Sequence, residues 1–206
     1  SGIKNPIAVG FLIGKKIKKI YFPEVKIGDK VFLIKEIGIE GASLIVREKF
    51  NELKKYFSEK YLKKVQNSIK NPGINVFKEA KILWENFKIK WMHDPTEGGI
   101  STALYEISES KRVGILIDLK KLNFYPPVVK FCKIFGLNPY GIISSGCLLG
   151  IIDKKNEKKL IEFCRKNKIK IRIIGEIIKE KGVFYIEKNK KYNFPKFERD
   201  EINRLV

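Results

Sequence analysis

The residues best suited to chemistry lie in one short run, His93-Asp94-Pro95-Thr96-Glu97-Gly98-Gly99. His93 is the one histidine of the chain, and Asp94 beside it gives a proton-handling or ligand-orienting pair. Pro95 biases Asp94 away from helical backbone, so the chain stays extended there. Thr96 is a good helix N-cap, and it places Glu97, Gly98 and Gly99 in the first turn. Two glycines there let a ligand approach the backbone, and the free N–H groups of a helix start favour an anion, phosphate above all. The plainer alternative is a capped helix start whose glycines serve tight packing.

Two other segments carry polar groups beside glycine. Glu40 lies between Gly38 and Gly41, where it reads either as a carboxylate in a cleft or as a turn residue. Ser144-Ser145-Gly146 reads either as a second phosphate-contacting turn or as a strand entry. The cysteines Cys132, Cys147 and Cys164 form no CxxC pair, and with a single histidine no metal site is expected. They read as reduced, buried thiols of a cytoplasmic protein, and Cys147 as a core residue.

Elements able to position these groups follow from periodicity. Strands are expected at 7–13, 17–22, 30–36, 89–92, 113–119, 147–152, 170–178 and 183–187. Helices are expected at 42–50, through most of 51–90 with a break at Asn71-Pro72-Gly73, at 98–110, 126–135, 156–167 and 200–205. The last two strands stand close enough to suggest a hairpin. The order of elements predicts an α+β or layered α/β fold, a mixed sheet covered by helices. Trp84 and Trp91 fall on apolar faces and read as packing residues, not base-stacking platforms.

Composition sets the class. A chain of 206 residues that is 44% apolar affords a packed core, and no apolar run reaches the length of a membrane span. The net charge is +20, but the bases are nearly all lysine, with six arginines, and they are spread along the chain. Readers of nucleic-acid bases favour arginine, so a solvated lysine surface is expected, and a polyanion-binding protein is the minor alternative. The abundance of Lys and Ile points to an AT-rich or high-temperature proteome.

Met92-His93-Asp94-Pro95-Thr96-Glu97-Gly98-Gly99-Ile100 resembles the MHDPTxGG signature of HypE-type and AIR-synthase-related proteins. Gly28-Asp29 and Gly38-Ile39-Glu40-Gly41, then Leu137-Asn138-Pro139 with Ser144-Ser145-Gly146-Cys147-Leu148-Leu149, agree with that family in order. So do Ile173-Ile174-Gly175-Glu176-Ile177 and the ending Arg199-Asp200-Glu201-Ile202-Asn203-Arg204-Leu205. The superfamily includes aminoimidazole ribonucleotide synthetase, formylglycinamidine synthetase, selenophosphate synthetase, thiamine-phosphate kinase and HypE.

The resemblance implies use of ATP and Mg2+ to activate an oxygen as phosphate, or to transfer phosphate. It implies an N-terminal ATP-binding domain, a C-terminal α/β domain like the one in AIR synthetase, and a homodimer formed through the N-terminal domains. Residues 1–27 look like the last segment and linker of the N-terminal domain, and 28–206 like the C-terminal domain. The motifs that hold Mg-ATP in the family have no counterpart in this sequence, so activity without that domain is not expected. The sequence ends Asn203-Arg204-Leu205-Val206, where HypE has Pro-Arg-Ile-Cys, which puts HypE's own dehydration in doubt. The resemblance therefore makes His93 and Asp94 the catalytic candidates. It makes Thr96, Gly98, Gly99, Glu40, Ser144, Ser145 and Gly146 the candidates for a small phosphate-type ligand. A non-catalytic phosphate-ligand or partner-binding module is the alternative.

Overall fold

The computed structural model describes residues 9–11, 13 and 23–205. The strand expected at 17–22 lies outside them, and the described part of 7–13 contains no strand. The sheet is built from β1 (Lys30–Ile34), β2 (Trp91–His93), β3 (Gly114–Ile117), β4 (Leu148–Ile152), β5 (Ile171–Ile178), β6 (Gly182–Glu187) and β7 (Lys190–Asn193). Its spatial order is β2-β4-β1-β5-β3-β6-β7. β4 and β5 flank β1 antiparallel, β2 pairs β4 antiparallel, and β3 pairs β5 antiparallel and β6 parallel. Hence β1, β2, β3 and β6 all point one way.

The helices are α1 (Ile39–Glu48), α2 (Phe50–Leu53), α3 (Glu59–Gln66), α4 (Phe77–Asn86), α5 (Gly99–Lys111), α6 (Pro126–Phe135) and α7 (Glu157–Lys166). Strand alternation sends Val31, Leu33, Leu149 and Ile151 to one face, where Ile100, Leu104 and Ile107 of α5 cover them. Phe32, Ile34, Leu148 and Ile152 go to the other face, against Leu83 of α4 and Leu160 of α7. A third cluster joins α1, α3 and α6 through Ile45, Val46, Leu62, Val65, Val128 and Phe131. Trp84 and Trp91 are partly buried and pack on the two faces, as their apolar spacing predicts. The mixed sheet covered by helices is the expected fold class.

The expected hairpin between β5 and β6 does not form, because β3 lies between them. The link 179–181 arches over the start of β3 at Gly114, where a Cβ would lie 1.6 Å from the Glu180 carbonyl oxygen. A residue without a side chain is what lets the chain cross there. β6 pairs instead with β7, a strand missed from the sequence because its residues, Lys190–Asn193, are polar and exposed. The C-terminal helix is a short 3-10 segment, Glu201–Leu205.

Candidate functional site

Three loops meet at the end of the sheet where β1 and β2 finish and β4 begins. They are Gly38–Gly41 entering α1, Asp94–Gly99 entering α5, and the segment 142–147 entering β4. Glycine makes the approach possible. A Cβ on Gly41 would stand 2.1 Å from the Ile142 side chain, and one on Gly99 2.4 Å from the Ile142 carbonyl oxygen. The Gly41 amide donates to the Ile143 carbonyl at 3.2 Å, which fixes α1 to the third loop.

The α5 entry differs from the sequence expectation. Gly98, in left-handed backbone, is the N-cap, and α5 begins at Gly99. Thr96 does not cap the helix with its side chain; its carbonyl accepts from the Gly99 amide at 3.0 Å, and its side chain stays exposed. The Gly98 amide donates to Asp200 Oδ2 at 2.7 Å. The two amides are therefore not free donors: Asp200 takes that of Gly98, in the place an anion would take, and the Thr96 carbonyl takes that of Gly99. Asp200 is 2% exposed, and its other oxygen accepts from the Ile202 amide at 2.9 Å. Burial raises its pKa above the ordinary carboxylate value, against the lowering by the Ile202 and Gly98 amides.

His93 leaves the loop cluster. It shares a row with Leu149 and Leu33, on the face that α5 covers, and its Nε2 lies 3.1 Å from Glu106 Oε2 on α5. Its ring stands 5.3 Å from that of Trp91. Asp94 is exposed at the loop, and its charge, after burial, is a cause of the raised thiol pKa of Cys147. Cys147 is fully buried and donates its Sγ–H to the Ser144 carbonyl at 3.2 Å, which makes it an inert core thiol. All three cysteines are free and buried, as expected.

Ser144 is also fully buried, and its hydroxyl donates to the Ile142 carbonyl at 2.7 Å. It shapes the strand entry and presents no free group. Ser145 is half-buried, and Gly146 has φ +104 and packs against Ile74. Glu40 sits in the first turn of α1, and its Oε2 is a buried oxygen with no hydrogen-bond partner among the described residues. Such an oxygen is costly to leave unmade and is suited to accept from a bound donor. No group of three or more metal-ligating side chains occurs among the described residues.

Asp200, Glu106 and a buried Lys90–Asp29 pair were not selected from the sequence as site or support residues. Asp200 carries one local signal: an aspartate two residues before an amide it accepts from, at the start of a short helical turn.

A family model described as AIR synthase related protein, C-terminal domain, matches residues 26–187, and the chain belongs to that family. Among its relatives, a hydrogenase expression/formation protein of Methanocaldococcus jannaschii is 32% identical over 175 residues, covering 82% of this chain and 48% of the relative. The chain thus spans about half the length of this curated relative. The fold matches that of HypE, a hydrogenase maturation protein of E. coli, with TM-score 0.72, 17% identity and coverage of 91% of this chain and 56% of the other. HypE solved in complex with ATP matches at TM-score 0.61 and 15% identity, over 89% of this chain and 54% of that one.

Proposed function

We propose that this chain supplies the C-terminal wall of an ATP-dependent active site that activates an amide or similar oxygen through phosphate. The observation that carries the reading is the meeting of the three loops at one end of the sheet, held by contacts that only glycine permits at positions 41 and 99. Family membership and the ATP complex of a protein with the same fold support it. In this reading residues 28–206 form the C-terminal domain and 1–27 the approach to an ATP-binding domain that holds most of the ATP and Mg2+, and the pair dimerises.

In this reading the ligand-facing groups are the exposed Asp94, Thr96 and Glu97, the half-buried Ser145 and the unpaired oxygen of Glu40. Gly98 and Gly99 shape the loop from behind through Asp200 and Thr96. His93, held by Glu106, fixes the strand end from which Asp94 projects.

ATP turnover measured with Mg2+ tests this. The 206-residue chain alone is expected to show none. Fused to the N-terminal ATP-binding half of an AIR synthase related protein it is expected to turn over, with Asp94→Asn lowering the rate at least about tenfold. Robust Mg-dependent turnover by the chain alone would sink the half-site reading. Unchanged turnover in the Asp94→Asn fusion would sink the residue assignment.

A further inference from the structure

A cavity lies beside the loop cluster, on the sheet face covered by α4 and α7. Its volume is about 420 Å3, within the range of small-molecule sites. The floor is apolar: Ile34 at the end of β1, Ile39, Ile82 of α4 and Ile169 before β5. The rim carries Lys35, Lys78, Lys168 and Lys170, with Glu36 and Glu79.

These charges are unevenly matched. Lys35 Nζ is tied to Glu79 at 3.1 Å and to the Asn75 carbonyl at 2.7 Å. Lys78, Lys168 and Lys170 have no carboxylate partner among the described residues, and Glu36 is the one remaining acid on the rim. The unpaired rim therefore carries an excess of two positive charges over an apolar floor. Two of the lysines sit in left-handed backbone, Lys35 at φ 62 and Lys168 at φ 57, where glycine would be the easy choice. Lys168 lies just after α7 and Lys35 just after β1, and the Lys35 amide donates to the Lys170 carbonyl at 3.2 Å. This contact ties the two lysine-bearing turns together at the cavity mouth.

We propose that this cavity binds a phosphate monoester whose organic part is apolar and flat enough to lie on the isoleucine floor. A dianion matches the excess of two charges. Lysine ammonium groups suit phosphate as point charges, without the fixed fork that arginine would impose. The apolar floor then discriminates an organic phosphate from the free ion. The site stands on the cavity's own residues, apart from the ATP-dependent reading.

The probe is 1-naphthyl phosphate, titrated calorimetrically into the full chain, with 1-naphthol and inorganic phosphate as partial ligands. Both partial ligands are expected to bind at least about tenfold more weakly than the ester. The triple variant Lys78→Glu, Lys168→Glu, Lys170→Glu is expected to lose at least about tenfold in affinity. The triple variant Lys154→Glu, Lys158→Glu, Lys159→Glu makes the same change of charge toward the other end of α7, on exposed residues, and is expected to leave affinity nearly unchanged. Ile82→Trp, which fills the floor without changing charge, is expected to weaken the ester and spare inorganic phosphate. Equal losses in both triple variants would reduce the effect to net charge and overturn the site. So would absence of binding at millimolar ester, binding of 1-naphthol as tight as the ester, or loss of binding on Asp94→Asn with the cavity triple variant unaffected.

Discussion

Asp200 ties the α5 entry to the segment at 200–205. Its carboxyl group caps two elements at once, taking the Gly98 amide at 2.7 Å and the Ile202 amide at 2.9 Å. Replacing it by alanine leaves the buried Gly98 amide without a partner, a cost of about 1–3 kcal/mol, to be read from urea unfolding. Its pH behaviour gives a second readout. Burial raises the folded pKa, so the native state holds this proton more tightly than the unfolded chain does. The contribution of Asp200 is then fully present below the ordinary carboxylate pKa and is lost as pH rises through the raised folded value. The stability of the protein relative to Asp200→Asn should therefore improve on acidification from neutral pH. A difference that is flat, or that worsens toward acid, would refute the assignment. The sequence made the loop's composition legible but not its occupant. Nothing local to Gly98 signals a carboxylate 102 residues away, and the use of Glu106 by His93 was hidden for a different reason, since their contact depends on α5 lying over β2.

At the scale of elements, the sheet is fastened by a buried ion pair at the end opposite the loops. Lys90, just before β2, reaches Asp29, just before β1, at 2.8 and 2.7 Å, with both side chains about as dry as the core, 6% and 5% exposed. The Lys90 amide also bonds the Ile151 carbonyl of β4, which lies between those two strands. Breaking such a pair from one side leaves a buried charge alone, so Lys90→Met is expected to cost about 3–5 kcal/mol. The double variant Lys90→Met, Asp29→Asn should recover a large part of that loss, because the asparagine oxygen still accepts from the Lys26 amide that Asp29 now holds at 2.6 Å. Additive losses in chemical denaturation would show that the pair is not the fastening. Most elements could be read from periodicity: α6 occupies the expected 126–135, α7 and β5 fall within a residue of expectation, and the core faces follow the strand alternation. What escaped was pairing. A short gap between two apolar strands reads as a hairpin, and only the space above Gly114 shows that the link steps over another strand.

The whole molecule carries 43 basic against 23 acidic side chains, so at least twenty cations have no acidic counterpart even if every acid is paired. Many of the ion pairs that do form are on the surface, such as Lys63–Glu59 and Lys166–Glu162, and pairs of this kind contribute little. Added salt screens both terms, but the repulsion summed over the surplus lysines is the larger, because it acts among many charges while each pair is local. Thermal stability should therefore rise with sodium chloride from low ionic strength toward about 0.5 M, by about 2–4 °C, the shift that about 1 kcal/mol produces in a domain of this size. The same surplus predicts weak, sequence-independent attraction to DNA that vanishes over the same salt range, since counterion release is its one source. A melting temperature that falls with salt would mean that the ion pairs outweigh the repulsion. DNA binding that survives high salt would require base or shape recognition, for which this lysine-dominated surface, with six arginines in the whole chain, offers little.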